Sequence, residues 1–231
     1  MTLFVTLLAA FVVSHIVLAN PPVRDALVRR LGENGFRIGY AIVSLALLFG
    51  TIQAYRAVPP GPLLWVAPAG AWHVSTLVML FAAILFVGSL TPANRALAGV
   101  PLSEKPAKGV LAITRHPMMW AFGLWAAVHV LLSGMLDTVL LAGGIGFLAL
   151  VGAAAQDGKK RAQLGDNWRG WEAQTSYWPF GAQITGKQPW TSLWVGVVPL
   201  AGGLVLWLLL TWLHPSLMRA PSVPPWQWAI P

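Results

Sequence analysis

The sequence contains no cysteine among its 231 residues. This absence excludes disulfide bonds, cysteine-ligated zinc, iron–sulfur clusters and thiol catalysis within the chain, and it leaves the redox compartment undetermined. Charged residues are also scarce, at 10% of the chain, whereas a soluble domain of this size carries roughly 25%. Together with 57% hydrophobic residues and a mean hydropathy of +0.67, this scarcity predicts a polytopic membrane protein.

Acidic residues are the rarer charged class, with seven against fifteen Lys and Arg. None lies inside a predicted span, which argues against paired catalytic carboxylates or a carboxylate proton relay within the membrane. Nucleotide-binding loops are absent too, because the glycines at 143–146 lie mid-span and lack the GxGxxG or GxxxxGK pattern. The net charge of +8 is interpreted as loop charge, and no basic run interleaved with aromatic residues predicts nucleic-acid binding.

Six apolar segments are long enough to cross a membrane. A helix needs about 20 residues to span a hydrocarbon core of about 30 Å. The first segment has no basic residue before it, so it is expected to be a retained span rather than a cleavable signal peptide. The predicted fold class is an all-α polytopic membrane helical bundle, a single integral domain over residues 1–231. The predicted spans lie near residues 2–19, 37–55, 72–90, 117–135, 138–155 and 192–213.

The distribution of Lys and Arg predicts the orientation of these spans. The loops after the first, third and fifth spans carry four, four and five of the fifteen basic residues. By the positive-inside rule these loops are cytoplasmic, which places both termini on the outer side of the membrane. Within the first of these loops, Asn20 and the prolines after it predict a short helix over 23–31 that Gly32 and Gly35 end.

Two of the five histidines, His15 and His129, lie well inside predicted spans. A polar ring facing lipid is costly, so both are expected to face the protein interior. Each could form a structural hydrogen bond to a hydroxyl or a carbonyl group. Two such rings on different helices also suggest a metal site, since imidazole is the commonest metal ligand. Without thiolates or carboxylates nearby, the pair favours haem over zinc.

Basic residues near the predicted helix ends are candidates for binding an anion. His116, in the Arg115-His116-Pro117 turn, could bind an anionic group together with Arg115, or could simply begin a helix. Arg24, Arg37 and Arg115 are candidate partners for haem propionates or lipid phosphates. The alternative is that these arginines only reach the lipid headgroups.

Motifs along nearly the whole chain carry a resemblance to a known family. Together they resemble the NnrU family of bacterial inner-membrane proteins and, through it, the plant and cyanobacterial zeta-carotene isomerases. The Arg-His-Pro triplet alone is less specific. The matching segments are Ser14–Ala19, Val23–Leu27, Leu31–Arg37, Ala54–Arg56, Ile113–Trp120 with its continuation to His129, Leu164–Trp168 and Thr175–Phe180.

The resemblance implies a cofactor and a context. NnrU proteins are associated with denitrification, where they accompany nitrite and nitric oxide reduction. Zeta-carotene isomerases are integral haem b proteins that isomerise a cis double bond of a carotenoid. By this resemblance His15 and His129 are the expected axial ligands of haem b. The plant isomerases carry a cysteine three residues before the second histidine, where this chain has Ala126.

A wider resemblance is to isoprenylcysteine and phospholipid methyltransferases, which also carry Arg-His-Pro at the start of a helix. They then carry a Glu-Glu pair before a glycine, and a spaced pair of tyrosines. The Glu-Glu pair is only half kept as an acid in this chain. The matching positions are Gln156-Asp157, Gly165, Trp168 and Trp171.

The leading hypothesis is therefore a haem b-binding inner-membrane protein that serves denitrification or nitric oxide metabolism, with isomerase-like chemistry as an option. Membrane lipids are the expected partners, denitrification enzymes are candidate partners, and no nucleic acid is expected. One alternative is an S-adenosylmethionine-dependent membrane methyltransferase. The other is a non-enzymatic assembly partner of nitrite or nitric oxide reductase, in which the histidines would be structural.

Overall fold

The computed structural model describes residues 1–91, 94 and 106–217, and over these residues the chain is helical without β-strands. The predicted all-α fold class is therefore confirmed. The helices are α1 (Thr2–Ala19), α2 (Pro21–Ala57), α3 (Ala71–Ser89), α4 (Val110–Ile113), α5 (Pro117–Ser133), α6 (Leu136–Leu164), α7 (Asp166–Gln174), α8 (Gly181–Ile184) and α9 (Val197–Leu217), with a 3₁₀ turn at Trp190–Leu193.

Five of the described helices are long and apolar enough to cross a membrane: α1, α2, α3, α6 and α9. The fourth predicted span corresponds to α5, an apolar helix of 17 residues that is about 25 Å long, which is less than the core thickness of about 30 Å. The predicted number of six spans and the orientation of the termini stay predictions. Many large apolar side chains of these helices are exposed, as contact with membrane lipid requires.

Helix α2 contains both the predicted surface helix and the second predicted span. Gly32 breaks the helical geometry between them, with φ of 72° and ψ of 165°. That backbone conformation is essentially restricted to glycine. The prediction that Gly32 interrupts the helix is confirmed, whereas Gly35 lies within helical backbone. The side chain of Asn20 forms no capping hydrogen bond, and the prolines alone fit the first helical turn.

The described chain divides into two compact units, and the predicted single domain over 1–231 stays a prediction. The first unit comprises Met1–Ala67 and His129–Leu148. Here α1 packs against α2 through Phe4, Leu8 and Ala54, which are all buried. A Cβ atom on Gly144 of α6 would lie 3.0 Å from a methyl group of Leu8. The absence of a side chain at Gly144 therefore lets α6 approach α1 closely at this point.

The second unit comprises Pro68–Val128 and the chain from Ala149 onward. Its core combines Leu85, Leu111, Trp168 and Trp171, each at most 2% exposed. Helices α3 and α9 approach closely where a Cβ atom on Gly203 would lie 2.7 Å from the Ile84 Cα atom. Trp168 and Trp171 hold α7 in the same core as α4 and α5. The turn between α4 and α5 contains Arg115 and His116.

Candidate functional site

The first unit contains His15, and one ring nitrogen of His15 already has a partner. Its Nδ1 atom donates to the carbonyl oxygen of Phe11, one turn earlier in α1, at 2.7 Å. In a neutral imidazole this bond leaves Nε2 as the lone-pair nitrogen, an arrangement typical of histidines that bind a metal. The half-buried ring lies edge-on to Phe11 and Tyr40, with centroid separations of 4.4 Å and 5.3 Å. Sequence analysis did not single out Phe11 or Tyr40.

His129 belongs to the same unit and is half-buried in α5. Its pairing with His15 at one iron stays a prediction. Among the residues that the structure describes, no group of three or more His, Cys, Asp or Glu side chains could hold a metal ion. A zinc-type site normally needs such a group, whereas haem iron needs only one or two axial side chains. The donor set around His15 therefore fits haem better than a free metal ion.

Arg24 and Arg37 share a carboxylate partner within α2. The Nη2 atom of Arg24 donates to both oxygens of Glu33, at 2.6 Å and 2.7 Å, and the Nε atom of Arg37 donates to one of them at 3.1 Å. The Arg24 guanidinium carbon also lies 5.3 Å from the ring centre of Phe36. Glu33 thus supplies an anion within the protein, and sequence analysis did not name it as their partner. Binding of haem propionates or lipid phosphates by these arginines stays a prediction.

The second unit brings Arg115 and His116 together with Asp157 of α6. Arg115 donates from Nε to Asp157 Oδ2 at 2.8 Å and also from Nη2 to the same oxygen. His116 donates from Nε2 to the other carboxylate oxygen, Oδ1, at 2.7 Å. All three residues are buried, at 8%, 2% and 4% exposure. Buried charges are normally paired and hydrogen-bonded, and here one carboxylate satisfies two basic groups.

Glu172 of α7 extends this buried ionic cluster toward the surface. Its carboxylate lies 3.6 Å from Arg115 Nη2 and accepts two hydrogen bonds from Nε of Arg161 and one from Nη2. Two guanidinium groups therefore face two carboxylates. We name the set Arg115, His116, Asp157, Arg161 and Glu172 the buried ionic cluster, although Arg161 itself is half exposed.

Backbone and aromatic contacts from residues 175–178 hold the start of α5 in place. The backbone N–H of Arg115 donates to Ser176 O at 2.9 Å, and the Thr114 hydroxyl donates to Tyr177 O at 2.7 Å. The Tyr177 hydroxyl in turn donates to Leu150 O at 2.7 Å. Burial and the nearby negative charge of Asp157 raise the pKa of Tyr177, so this phenol stays protonated at neutral pH.

Sequence analysis identifies Arg115 and His116 as candidates either for binding an anionic group or for beginning a helix, and binding of an external anion stays a prediction. In the structure Asp157 contacts both residues and Glu172 lies 3.6 Å from Arg115. In the sequence, Asp157 stands out only as a position that matches the methyltransferase pattern, and Glu172 does not stand out at all. The detectable signal for Asp157 is an isolated acid next to the basic stretch Lys159–Arg161, at the end of an apolar segment.

Comparison with known proteins adds the family. The family model described as NnrU protein matches residues 3–222 of the chain. The chain belongs to the NnrU family. This NnrU chain is also 30% identical over 191 residues to the chloroplastic 15-cis-zeta-carotene isomerase of Arabidopsis thaliana, a match that covers 79% of this chain and 50% of the relative.

The corresponding isomerase of Zea mays is 29% identical over 186 residues, which is 77% of this NnrU chain and 49% of the relative. The chain thus spans about half the length of the curated relatives it matches. No solved structure shows significant similarity to it. The predicted relation to the NnrU family and to zeta-carotene isomerases is confirmed.

Proposed function

We propose that this NnrU protein binds haem b in its first unit and acts on an apolar, unsaturated substrate as an isomerase. The observation that carries the proposal is the hydrogen bond from His15 Nδ1 to Phe11 O, which holds the ring in the tautomer that can ligate iron. His129 is the proposed second ligand. The names of the two plant relatives supply the reaction class, isomerisation of a cis double bond in a polyene.

The residues of this chain would orient and shield the cofactor. His15 would hold the iron through Nε2, and the Phe11 carbonyl would keep the proton on Nδ1. The rings of Phe11 and Tyr40 would limit rotation of the imidazole and exclude water from it. When bound, haem supplies an iron centre that can polarise a double bond or take up nitric oxide. The proposed location is the bacterial inner membrane.

An absorption spectrum of the detergent-purified protein tests haem binding directly. We expect a Soret band in the wild-type protein, loss of most of it in His15→Ala and His129→Ala, and full retention in His73→Ala. His73 is the matched control because it is an exposed histidine on α3. A wild-type protein that never shows a Soret band after expression with haem precursor would contradict the proposal. Conversion of 15-cis-zeta-carotene by the haem-loaded protein then tests the isomerase activity.

The proposal includes a role in nitric oxide metabolism and denitrification, which rests on the resemblance to NnrU proteins. It predicts that nitric oxide shifts the Soret band of the reduced protein, because a ferrous iron with an exchangeable axial ligand binds small diatomic molecules. An unchanged spectrum would contradict the role in nitric oxide metabolism and leave the isomerase role in place. If the wild-type protein lacks haem altogether, an assembly role beside nitrite or nitric oxide reductase becomes the leading hypothesis.

A membrane methyltransferase is the second candidate function, and it rests on the position of Asp157 in the buried ionic cluster. Asp157, one of the positions that match the methyltransferase pattern, contacts both Arg115 and His116. Asp157 is fully engaged by these two residues, however, so a cofactor would have to displace a buried ion pair. Isothermal titration with S-adenosylmethionine tests this candidate, and binding by a haem-free protein would support it over the isomerase.

A further inference from the structure

The buried ionic cluster leaves one buried nitrogen atom without a protein partner. The His116 side chain is fully buried and its Nε2 atom donates to Asp157, but its Nδ1 atom has no hydrogen bond to any residue that the structure describes. The ring of Tyr177 lies edge-on to His116 at 5.8 Å, and its hydroxyl is used for Leu150 O. Leaving a buried polar atom unsatisfied is energetically costly, so a hydrogen-bond donor at Nδ1 would remove that penalty.

The surrounding charges decide what kind of ligand Nδ1 can take. Asp157 accepts hydrogen bonds from both Arg115 and His116, so it is ionised and the imidazole proton lies on Nε2. The two guanidinium groups and two carboxylates of the cluster already balance. With its ring proton on Nε2, His116 carries its lone pair on Nδ1, so Nδ1 can accept a hydrogen bond from a donor.

We propose that His116, held by Asp157, forms a hydrogen-bond-acceptor site for one neutral hydroxyl group, and that a water molecule occupies this site in the resting protein. Asp157 fixes the proton on Nε2, Arg115 fixes Asp157 through its other oxygen, and Nδ1 accepts the hydrogen bond of the ligand. Sequence analysis gave anion binding by Arg115 and His116 as one of two interpretations, and in the structure Asp157 accepts hydrogen bonds from both residues. The site is independent of haem binding by the first unit.

Nitrogen NMR of the full-length protein in lipid bilayers, labelled with ¹⁵N-histidine, tests the site with water as the probe. Loss of signals in His116→Gln identifies the resonances of His116, and His73→Gln is the matched control that removes only an exposed histidine. We expect a protonated Nε2, an unprotonated Nδ1 whose shift is that of a hydrogen-bonded acceptor, and magnetisation transfer from water protons to Nδ1. A protonated Nδ1, or an unprotonated Nδ1 with no transfer from water, would overturn the proposal.

Inorganic phosphate provides the opposing probe in the same sample. Because Nδ1 offers a lone pair and the Asp157 carboxylate occupies Nε2, we expect phosphate to leave both His116 nitrogen shifts unchanged. A saturable phosphate-dependent shift at Nδ1 would restore the anion interpretation and refute a neutral-hydroxyl site. Both measurements are read from the wild-type protein, and the variants serve only to assign the His116 resonances.

Discussion

The ion pair between Arg115 and Asp157 is the residue-scale feature with the clearest energetic consequence. Both side chains are almost fully removed from solvent, and the Asp157 carboxylate also holds His116. Replacing such a pair with apolar residues can be neutral, but removing one partner leaves the other as an uncompensated buried charge. The pair therefore makes folding of the second unit depend on Asp157.

Asp157→Asn is expected to destabilise the protein by about 3–5 kcal/mol, because Arg115 then loses its counter-charge in the interior. Thermal unfolding in a mild detergent, followed by tryptophan fluorescence, measures the effect. Asp166→Asn is the matched control: Asp166 pairs with Arg169, but both side chains are highly exposed. Exposed ion pairs contribute little, so the control should melt close to wild type. Equal melting temperatures for the two variants would contradict a buried role for Asp157.

At the scale of helices, hydropathy predicts where apolar segments lie better than where helices end. Span positions follow from runs of apolar residues, and the break at Gly32 follows from glycine after a short polar helix. The extension of α6 to Leu164 is not predicted, because the apolar signal ends near residue 155 while the helix continues through a charged stretch. Asp157 lies in that extension, so its contacts with Arg115 and His116 depend on a helix end that hydropathy does not report.

The His15–Phe11 hydrogen bond, in contrast, is local and follows from helical spacing. A histidine can reach the carbonyl group four residues earlier without any tertiary contact. The contact between His15 and Tyr40 could not be predicted in this way, since it depends on how α1 packs against α2. The pairing of Arg24 with Glu33 likewise requires the chain to change direction at Gly32.

Gly32→Ala is expected to cost about 1–3 kcal/mol, because a Cβ atom disfavours the backbone conformation at φ 72° and ψ 165°. Gly39→Ala is the matched control in the same helix: a Cβ atom added there would meet no other atom within 4 Å, and its backbone is helical. Alanine is favoured over glycine in a helix, so the control should be neutral or slightly stabilising. Circular dichroism melts of both variants measure the difference, and a neutral Gly32→Ala would show that the break is not required.

At the scale of the whole molecule, composition and motifs predict the class of protein and its family, and the asymmetry of basic residues predicts its orientation. Thirteen of the fifteen Lys and Arg fall in three alternate loops, and the positive-inside rule acts on that sum rather than on any one of them. Orientation is thus a property of the full chain, which no single residue or helix determines.

Single cysteines introduced into this cysteine-free chain can test the orientation. We expect a membrane-impermeant maleimide to label Ala69→Cys in intact spheroplasts, because the loop after α2 is predicted to be periplasmic. Ala173→Cys in α7 should react only after the membrane is opened, because it lies in the loop after the fifth predicted span, which is predicted to be cytoplasmic. Both positions are exposed in the structure, so accessibility to the reagent is matched. The reverse labelling pattern would refute the predicted orientation.

The buried ionic cluster also has a consequence for biogenesis. Arg115 and His116 leave the ribosome more than forty residues before Asp157, and Glu172 follows later still. Until those acids have been synthesised, the nascent chain lacks the two carboxylates that neutralise Arg115 in the folded protein, so we expect this arginine to stay hydrated during translation. Proteins truncated before residue 157 should accordingly be recognised by membrane quality-control proteases, even when their apolar helices have already inserted.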